Sequence, residues 1–370
     1  VINIVTRSAG GNPVTEAAVT YGAFNGYEVS GTHAGSAGPT DFLVAANLAG
    51  SDGDFEFEDD NGTRFERSDD EITDRENNDF DSRELYASTR LPAGRNWTLE
   101  AFGEFFDKNE GVPGISSNQS SDARLDTRRG MFNLRAAGDR IAVDGLSGWL
   151  RLFAVTEESH FRDPLGEIGV GRQNSLDNNR AVGAEVYADY FLGDQQILSA
   201  LASVQAERYD NEDRLSGTTS RNQDRVIYQV GLEDQIFLWN DRLTLEPQVS
   251  QVWIDNDFGG PVDPSGRVAS GGDDDFLSYK LGGRIELGRG WSAKANAGRA
   301  WRYPNLTELF GDRGTVTGNP QLDAERSDKW DLGVAFERSG LGPDSLGIDR
   351  LTLEAAWFQS DSKDPVSYTH

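Results

Sequence analysis

The chain has 370 residues, a formal net charge of −27, 36% hydrophobic and 10% aromatic residues, and 42 glycines. That is too little apolar material for one deep dry core, yet too aromatic for a disordered chain. The acidity argues against a nucleic-acid partner, which requires basic clusters, and the absence of cysteine removes disulfide frameworks and thiolate metal sites.

From the N-terminus, Val1–Arg7 reads VINIVTR, a β-branched run with neither the charged nor the apolar region of a signal peptide. The natural start is therefore expected upstream. No stretch reaches 18 apolar residues, so no transmembrane helix is expected. Beyond this run, period-two alternation repeats to the end of the chain. In 180–192 Val182, Ala184, Val186, Ala188 and Tyr190 alternate with Glu185, Tyr187 and Asp189. In 225–238 Val226, Tyr228, Val230 and Leu232 are set against Arg225, Gln229 and Glu233. The same pattern holds for 242–253 and 276–287. Helical spacing fits none of these runs.

About fifteen such strands are expected. The first eight lie near 14–22, 26–34, 41–50, 81–91, 96–106, 125–136, 148–160 and 180–192. Seven more lie near 195–208, 224–237, 242–254, 276–287, 291–301, 328–338 and 350–360. Each is about ten residues, the length a tilted strand needs to cross the apolar slab of a membrane. After the first pair the connections alternate in length. Those at about 51–80, 107–124, 161–179, 209–223, 255–275 and 302–327 are long, and those between them are short or moderate. Outer-membrane barrels have this asymmetry, with short turns on one side and long loops on the other. Trp97, Trp239 and Trp291 adjoin short turns, whereas Trp253, Trp301 and Trp330 lie near long loops, as two aromatic girdles would place them. The fold expected is all-β: an antiparallel transmembrane β-barrel wall with a polar inner face.

Two segments resemble the TonB-dependent receptor family. Val1, Ile2, Asn3, Ile4, Val5, Thr6 and Arg7 resemble the last strand of that family's plug domain. Downstream, RYPNLTELFGDRGTVTGNPQLDAE at 302–325 is similar to a family segment through Arg302, Pro304, Glu308, Leu309, Gly318, Asn319, Pro320, Leu322 and Glu325. The resemblance implies residues 1–7 as the end of a plug and 8–370 as an incomplete barrel, about 15 of 22 strands. It further implies the outer membrane of a Gram-negative bacterium, contact with its lipid, and coupling to TonB through a region preceding Val1. The imported ligand would be a small-molecule metal chelate or vitamin, such as a ferric siderophore or cobalamin. The Arg302–Glu325 residues themselves read as loop-shaping, with Arg302 paired to an acidic neighbour.

Other chemistry has weaker sequence support. Asp52, Asp54, Asp59 and Asp60 lie in the second long-side loop and are candidate calcium ligands, although the EF-hand pattern is not met and a solvated loop is the simpler reading. The segment 109–126, rich in Gly, Ser and Asn, reads as an exposed flexible loop. The resemblance implies that a haem receptor would carry a histidine between the Arg302–Pro304 and Asn319–Leu322 motifs; Trp301 to Leu322 contains none, leaving His160 at the start of the fourth loop. No nucleophile triad, phosphate loop or HExxH motif points to an enzyme. The competing classes are a passive porin and a secreted β-rich adhesin or carbohydrate-active protein.

Overall fold

A strand whose side chains alternate between apolar and polar separates them onto opposite faces, because successive Cβ atoms point opposite ways. In the computed structural model, which describes residues 12–63, 65–115, 117–168, 171–219, 222–259, 271–311, 318–339 and 350–366, this happens fifteen times. The VINIVTR segment lies outside the described residues.

The strands are β1 (Val14–Tyr21), β2 (Tyr27–Ala37), β3 (Thr40–Ser51), β4 (Phe80–Ala93) and β5 (Trp97–Gly111). Then come β6 (Arg124–Gly138), β7 (Leu146–Asp163), β8 (Gln173–Phe191), β9 (Gln196–Asp213) and β10 (Gln223–Leu238). Last are β11 (Leu243–Phe258), β12 (Gly272–Gly288), β13 (Trp291–Arg302), β14 (Glu325–Ser339) and β15 (Arg350–Lys363). Each pairs antiparallel with its sequence neighbours in one continuous meander, and β1 and β15 form the two edges. All fifteen expected strands are present in the expected order. Several are longer than expected: β8 has 19 residues and β7 and β9 have 18 each. The added length lies at the long-loop end. There most positions on both faces turn polar, as in Gln173–Asn179 of β8, where Leu176 alone is apolar, so alternation fades from the sequence while ladder hydrogen bonds continue.

The two faces differ sharply. On β10, Tyr228, Val230 and Leu232 are exposed on one face, while Gln229, Glu233 and Gln235 occupy the other. Among the described residues eleven hydrophobic side chains are buried, and several times that number of large ones are exposed. Water is a poor solvent for such a face; hydrocarbon is a good one. Trp97, Trp239 and Trp291 are exposed near the short turns, and Trp253 and Trp330 toward the long loops, so two aromatic levels bracket the apolar face. Trp149 belongs to the polar face instead, stacked on Tyr187 at 5.6 Å.

The polar face is held together by cross-strand ion pairs rather than by a dry core. Arg129 pairs with Glu104 at 2.9 Å, Arg135 with Glu100 at 2.9 Å, and Arg151 with Glu185 at 2.6 Å. The apolar cluster that does exist, Tyr209, Leu306, Leu309 and Phe310 with Phe258 and Leu322 against it, lies at the long-loop end. That is where the candidate site is built.

Candidate functional site at the loop end

The connection between β13 and β14 does not extend freely into solvent. Its first part forms a short helix, α1 (Leu306–Phe310), within a stretch that composition alone assigns to a loop. A local signal is present: Asn305 and Glu308 stand in capping-box spacing. The Asn305 side chain accepts from the Glu308 backbone N–H at 2.8 Å, and Glu308 Oε2 accepts from the Asn305 N–H at 2.9 Å. The other oxygen of Glu308 accepts from Arg302 Nη2. Arg302 therefore does pair with an acid, one that is itself 4% exposed.

The rest of the family-like segment closes the loop on α1. Gly311, at φ 74°, ends the helix with its N–H on the Thr307 carbonyl at 2.7 Å. The Asn319 N–H donates to the Glu308 carbonyl at 2.9 Å. Gly318 lies so close to the helix end that a Cβ there would stand 2.3 Å from the Gly311 nitrogen and the Phe310 carbonyl carbon. Leu322 packs on the apolar cluster, and Asn319 Oδ1 accepts from the Gln321 N–H at 3.1 Å in the turn containing Pro320. Glu325 opens β14 as the cross-strand partner of Arg302. Arg302, Glu308, Leu309, Gly318, Asn319 and Leu322 are thus brought together, and their work is structural.

This loop is docked on the polar face of the sheet. Arg225, 3% exposed, donates from Nη1 to the Pro304 carbonyl at 2.8 Å and from Nε to Asn256 Oδ1 at 2.8 Å. The Tyr209 hydroxyl, with one proton to give, reaches two acceptors, Asp177 Oδ1 at 2.8 Å and the Gly311 carbonyl. Asn211 also donates to Asp177. Phe310 is wedged between Tyr209 (6.2 Å, 14°) and Phe258 (4.9 Å, 80°). Burial raises the pKa of the Tyr303 hydroxyl, and the Glu207 carboxylate raises it further, against a lowering by Arg225. Sequence reasoning does not single out Tyr209, Arg225, Asp177 or Phe258. They lie at the loop ends of their strands, and their partners in the 303–311 loop lie up to 102 residues away.

The neighbouring loops are tied to one another. Asn77 Nδ2 donates to the Ala123 carbonyl at 2.7 Å and to Ser120 Oγ at 2.9 Å, joining the second loop to the third. Glu167 of the fourth loop accepts from the Ser121 and Asp122 N–H groups at 2.9 and 3.1 Å. Those bonds hold its carboxyl below the usual range. Asp163, fully buried, accepts from the N–H groups of Gly166, Glu167 and Ile168 at 2.6–2.9 Å. These contacts correct the expectation of a plain exposed loop at 109–126: Ser120 and Ala123 are 0% exposed.

The candidate calcium ligands are dispersed. Asp52 accepts from Asn25 Nδ2 at 2.5 Å, whereas Asp59 and Asp60 accept from the N–H groups of Asn61 and Gly62 at 3.0 Å. Asp54 lies in the connection preceding the short hairpin Glu56–Asp59 with Glu71–Asp74. Among the described residues no group of three or more His, Cys, Asp or Glu is placed to hold a metal ion. His160 falls, by alternation on β7, on the face of Leu150 and Leu152, bonded to Asn174 at 2.8 Å, and so points away from the loop cluster on the polar face.

A long antiparallel meander with one apolar face, one polar face and loops knitted together at one end is the architecture of a β-barrel wall. The family described as TonB dependent receptor-like, beta-barrel, matches residues 17–369, and the chain belongs to it. A copper transporter, OprC, is similar in structure, with a TM-score of 0.70 at 13% identity, over 96% of this chain and 54% of that one. The FrpB iron transporter from Neisseria meningitidis gives 0.69 at 15% identity, over 96% and 55%. The ferric enterobactin receptor PfeA gives 0.65 at 17% identity, over 97% and 55%. The chain thus spans about half the length of these proteins. No curated protein matches it.

Proposed function

We propose that this chain forms the wall and loop crown of an energy-coupled importer in the outer membrane of a Gram-negative bacterium. The nutrient is a scarce, large solute of the metal-chelate or vitamin class, a ferric siderophore or a cobalamin-like compound. The single observation that carries the reading is the docking of the 303–311 loop on the polar face, through Arg225 and Tyr209. A loop that folds inward narrows the passage and offers it hydrogen-bonding groups, and the receptor family to which the chain belongs favours a coupled importer over an open diffusive pore. The family and the iron and copper transporters of similar fold support the same class. The wall binds, filters and guides, and carries out no covalent chemistry. Force delivered through TonB would act on a plug, the domain whose last strand VINIVTR resembles.

Uptake separates this reading from its rivals. The gene is deleted in its host, and accumulation of radiolabelled ferric chelates and cobalamin is followed with and without a protonophore. The importer reading expects loss of uptake of one solute class, with parental uptake abolished by the protonophore. Protonophore-insensitive uptake would point to a passive porin, and unchanged uptake of every solute would favour an adhesin.

A further inference from the structure

The apolar face carries a groove of about 440 Å³ where β12, β13, β14 and β15 meet. Register explains it. Leu281, Ala297 and Trp330 are successive cross-strand partners, and one step nearer the loops so are Tyr279, Arg299 and Asp328. Ala297 presents only a methyl between two large side chains, so the wall dips there. Tyr279, Leu281 and Trp330 remain 47%, 56% and 44% exposed along its sides.

The rim toward the loops is charged. Arg299 Nε donates to Asp328 Oδ1 at 2.7 Å and its guanidinium lies 5.8 Å over the Tyr279 ring. Arg326 Nε stands 3.4 Å from the other oxygen of Asp328, and Lys363 is the cross-strand partner of Arg326. Three cations face two carboxylates, Asp328 and Asp361, so this patch is locally positive on a chain of net charge −27. An apolar slot with a cationic rim at one end is complementary to an acyl chain beneath an anionic head group. A peptide strand would add at the open edge of β15 rather than lie in the slot, because β13 and β14, which floor it, are each paired on both sides. Free phosphate would leave the slot unfilled.

We infer that this groove holds one anionic phospholipid, its acyl chain over Ala297 and its phosphate at Arg299 and Arg326. The inference rests on the membrane reading above. The test uses the chain in detergent micelles, with phosphatidylglycerol and phosphatidylcholine of identical acyl chains, and native mass spectrometry to count retained lipid. One phosphatidylglycerol per chain is expected, held several-fold more tightly than phosphatidylcholine. A297F, which fills the slot, should weaken retention about tenfold. R299Q combined with R326Q should abolish the head-group preference, and it leaves the slot intact if A297F folds poorly. A184F, on a distant part of the same face, should change nothing. Parental retention that ignores the head group, or A297F retention equal to the parent's, would overturn the proposal. Vesicle flotation keeps the two failures apart: a chain that does not float removes the membrane reading, whereas a chain that floats with an unchanged A297F removes only the groove.

Discussion

Gly318 is required by its neighbours rather than by its own flexibility. A methyl there meets main-chain atoms of Phe310 and Gly311 at 2.3 Å, and main chain cannot step aside as a side-chain tip can. Overpacking of this kind costs about 1–3 kcal/mol. G318A is therefore expected to release the loop from α1 and to accelerate proteolysis within 303–324 about tenfold or more, while far-ultraviolet circular dichroism keeps its strand signal. Tyr209 makes a complementary prediction. Y209F keeps the ring against Phe310 but leaves Asp177 and the Gly311 carbonyl one donor short, a loss of about 1–2 kcal/mol. Hydrogen exchange should rise several-fold at residues 307–311 and stay at parental values in the middle of β10; equal protection throughout would remove Tyr209 from the docking contact. These two residues also mark what a sequence can and cannot disclose. Gly318 and Glu308 are legible as parts of a family-like segment, and the Asn305–Glu308 spacing is a readable helix start. Tyr209 and Arg225 are not legible, because alternation places a residue on a face but cannot say which distant loop will come to rest on it.

Strands and loops differ in the same respect. Each of the fifteen wall strands is legible, since one face must meet an apolar medium and the other a polar one, and that requirement is written at every second position; the short hairpin Glu56–Asp59 with Glu71–Asp74, inside a loop, is not. The upper ends of the wall strands are not, because above the apolar face both sides are mostly polar and only ladder hydrogen bonds continue the element. The third loop is the clearest case: a Gly/Ser/Asn-rich composition reads as solvated, yet Ser120 and Ala123 are fully buried under contacts from the second loop. The contact between the third and fourth loops carries a pH signature. Backbone N–H groups of Ser121 and Asp122 favour ionised Glu167 and lower its pKa in the folded loop. A depressed carboxylate pKa contributes stability that is fully present above the unfolded value, near 4.5, and is lost as pH falls through the folded value. Cleavage within 112–123 by an acid-tolerant protease should therefore be slow at pH 6 and accelerate below the ordinary glutamate range. E167Q should be cleaved faster at pH 6 and lose most of this dependence. A variant profile parallel to the parent's would show that some other group governs the loop.

At the scale of the whole molecule the question is which solvent the exposed face meets. In water, a sheet with Tyr228, Val230 and Leu232 exposed on one strand, and similar residues on most others, would associate or aggregate. In hydrocarbon the same residues are matched to their surroundings, and among the described residues β2 to β14 are each paired on both sides, which leaves β1 and β15 as the open edges. Two substitutions one residue apart on β10 distinguish these environments, since they differ in face and hardly in depth. Val230→Arg places a guanidinium on the apolar face near the middle of the strand, where a charge at the bilayer midplane costs about 2–4 kcal/mol. Gln229→Arg places it on the polar face, beside Ser250, which accepts from Gln229 at 3.0 Å in the native protein. Refolding into lipid vesicles, scored by flotation and protease protection, should fall at least tenfold for V230R and little for Q229R. In aqueous buffer the order reverses in one measurable respect: V230R should be the more soluble of the two, because it breaks up the apolar face. Equal vesicle yields for both variants would mean that lipid does not cover this face, and a soluble β-rich protein would then be the better description.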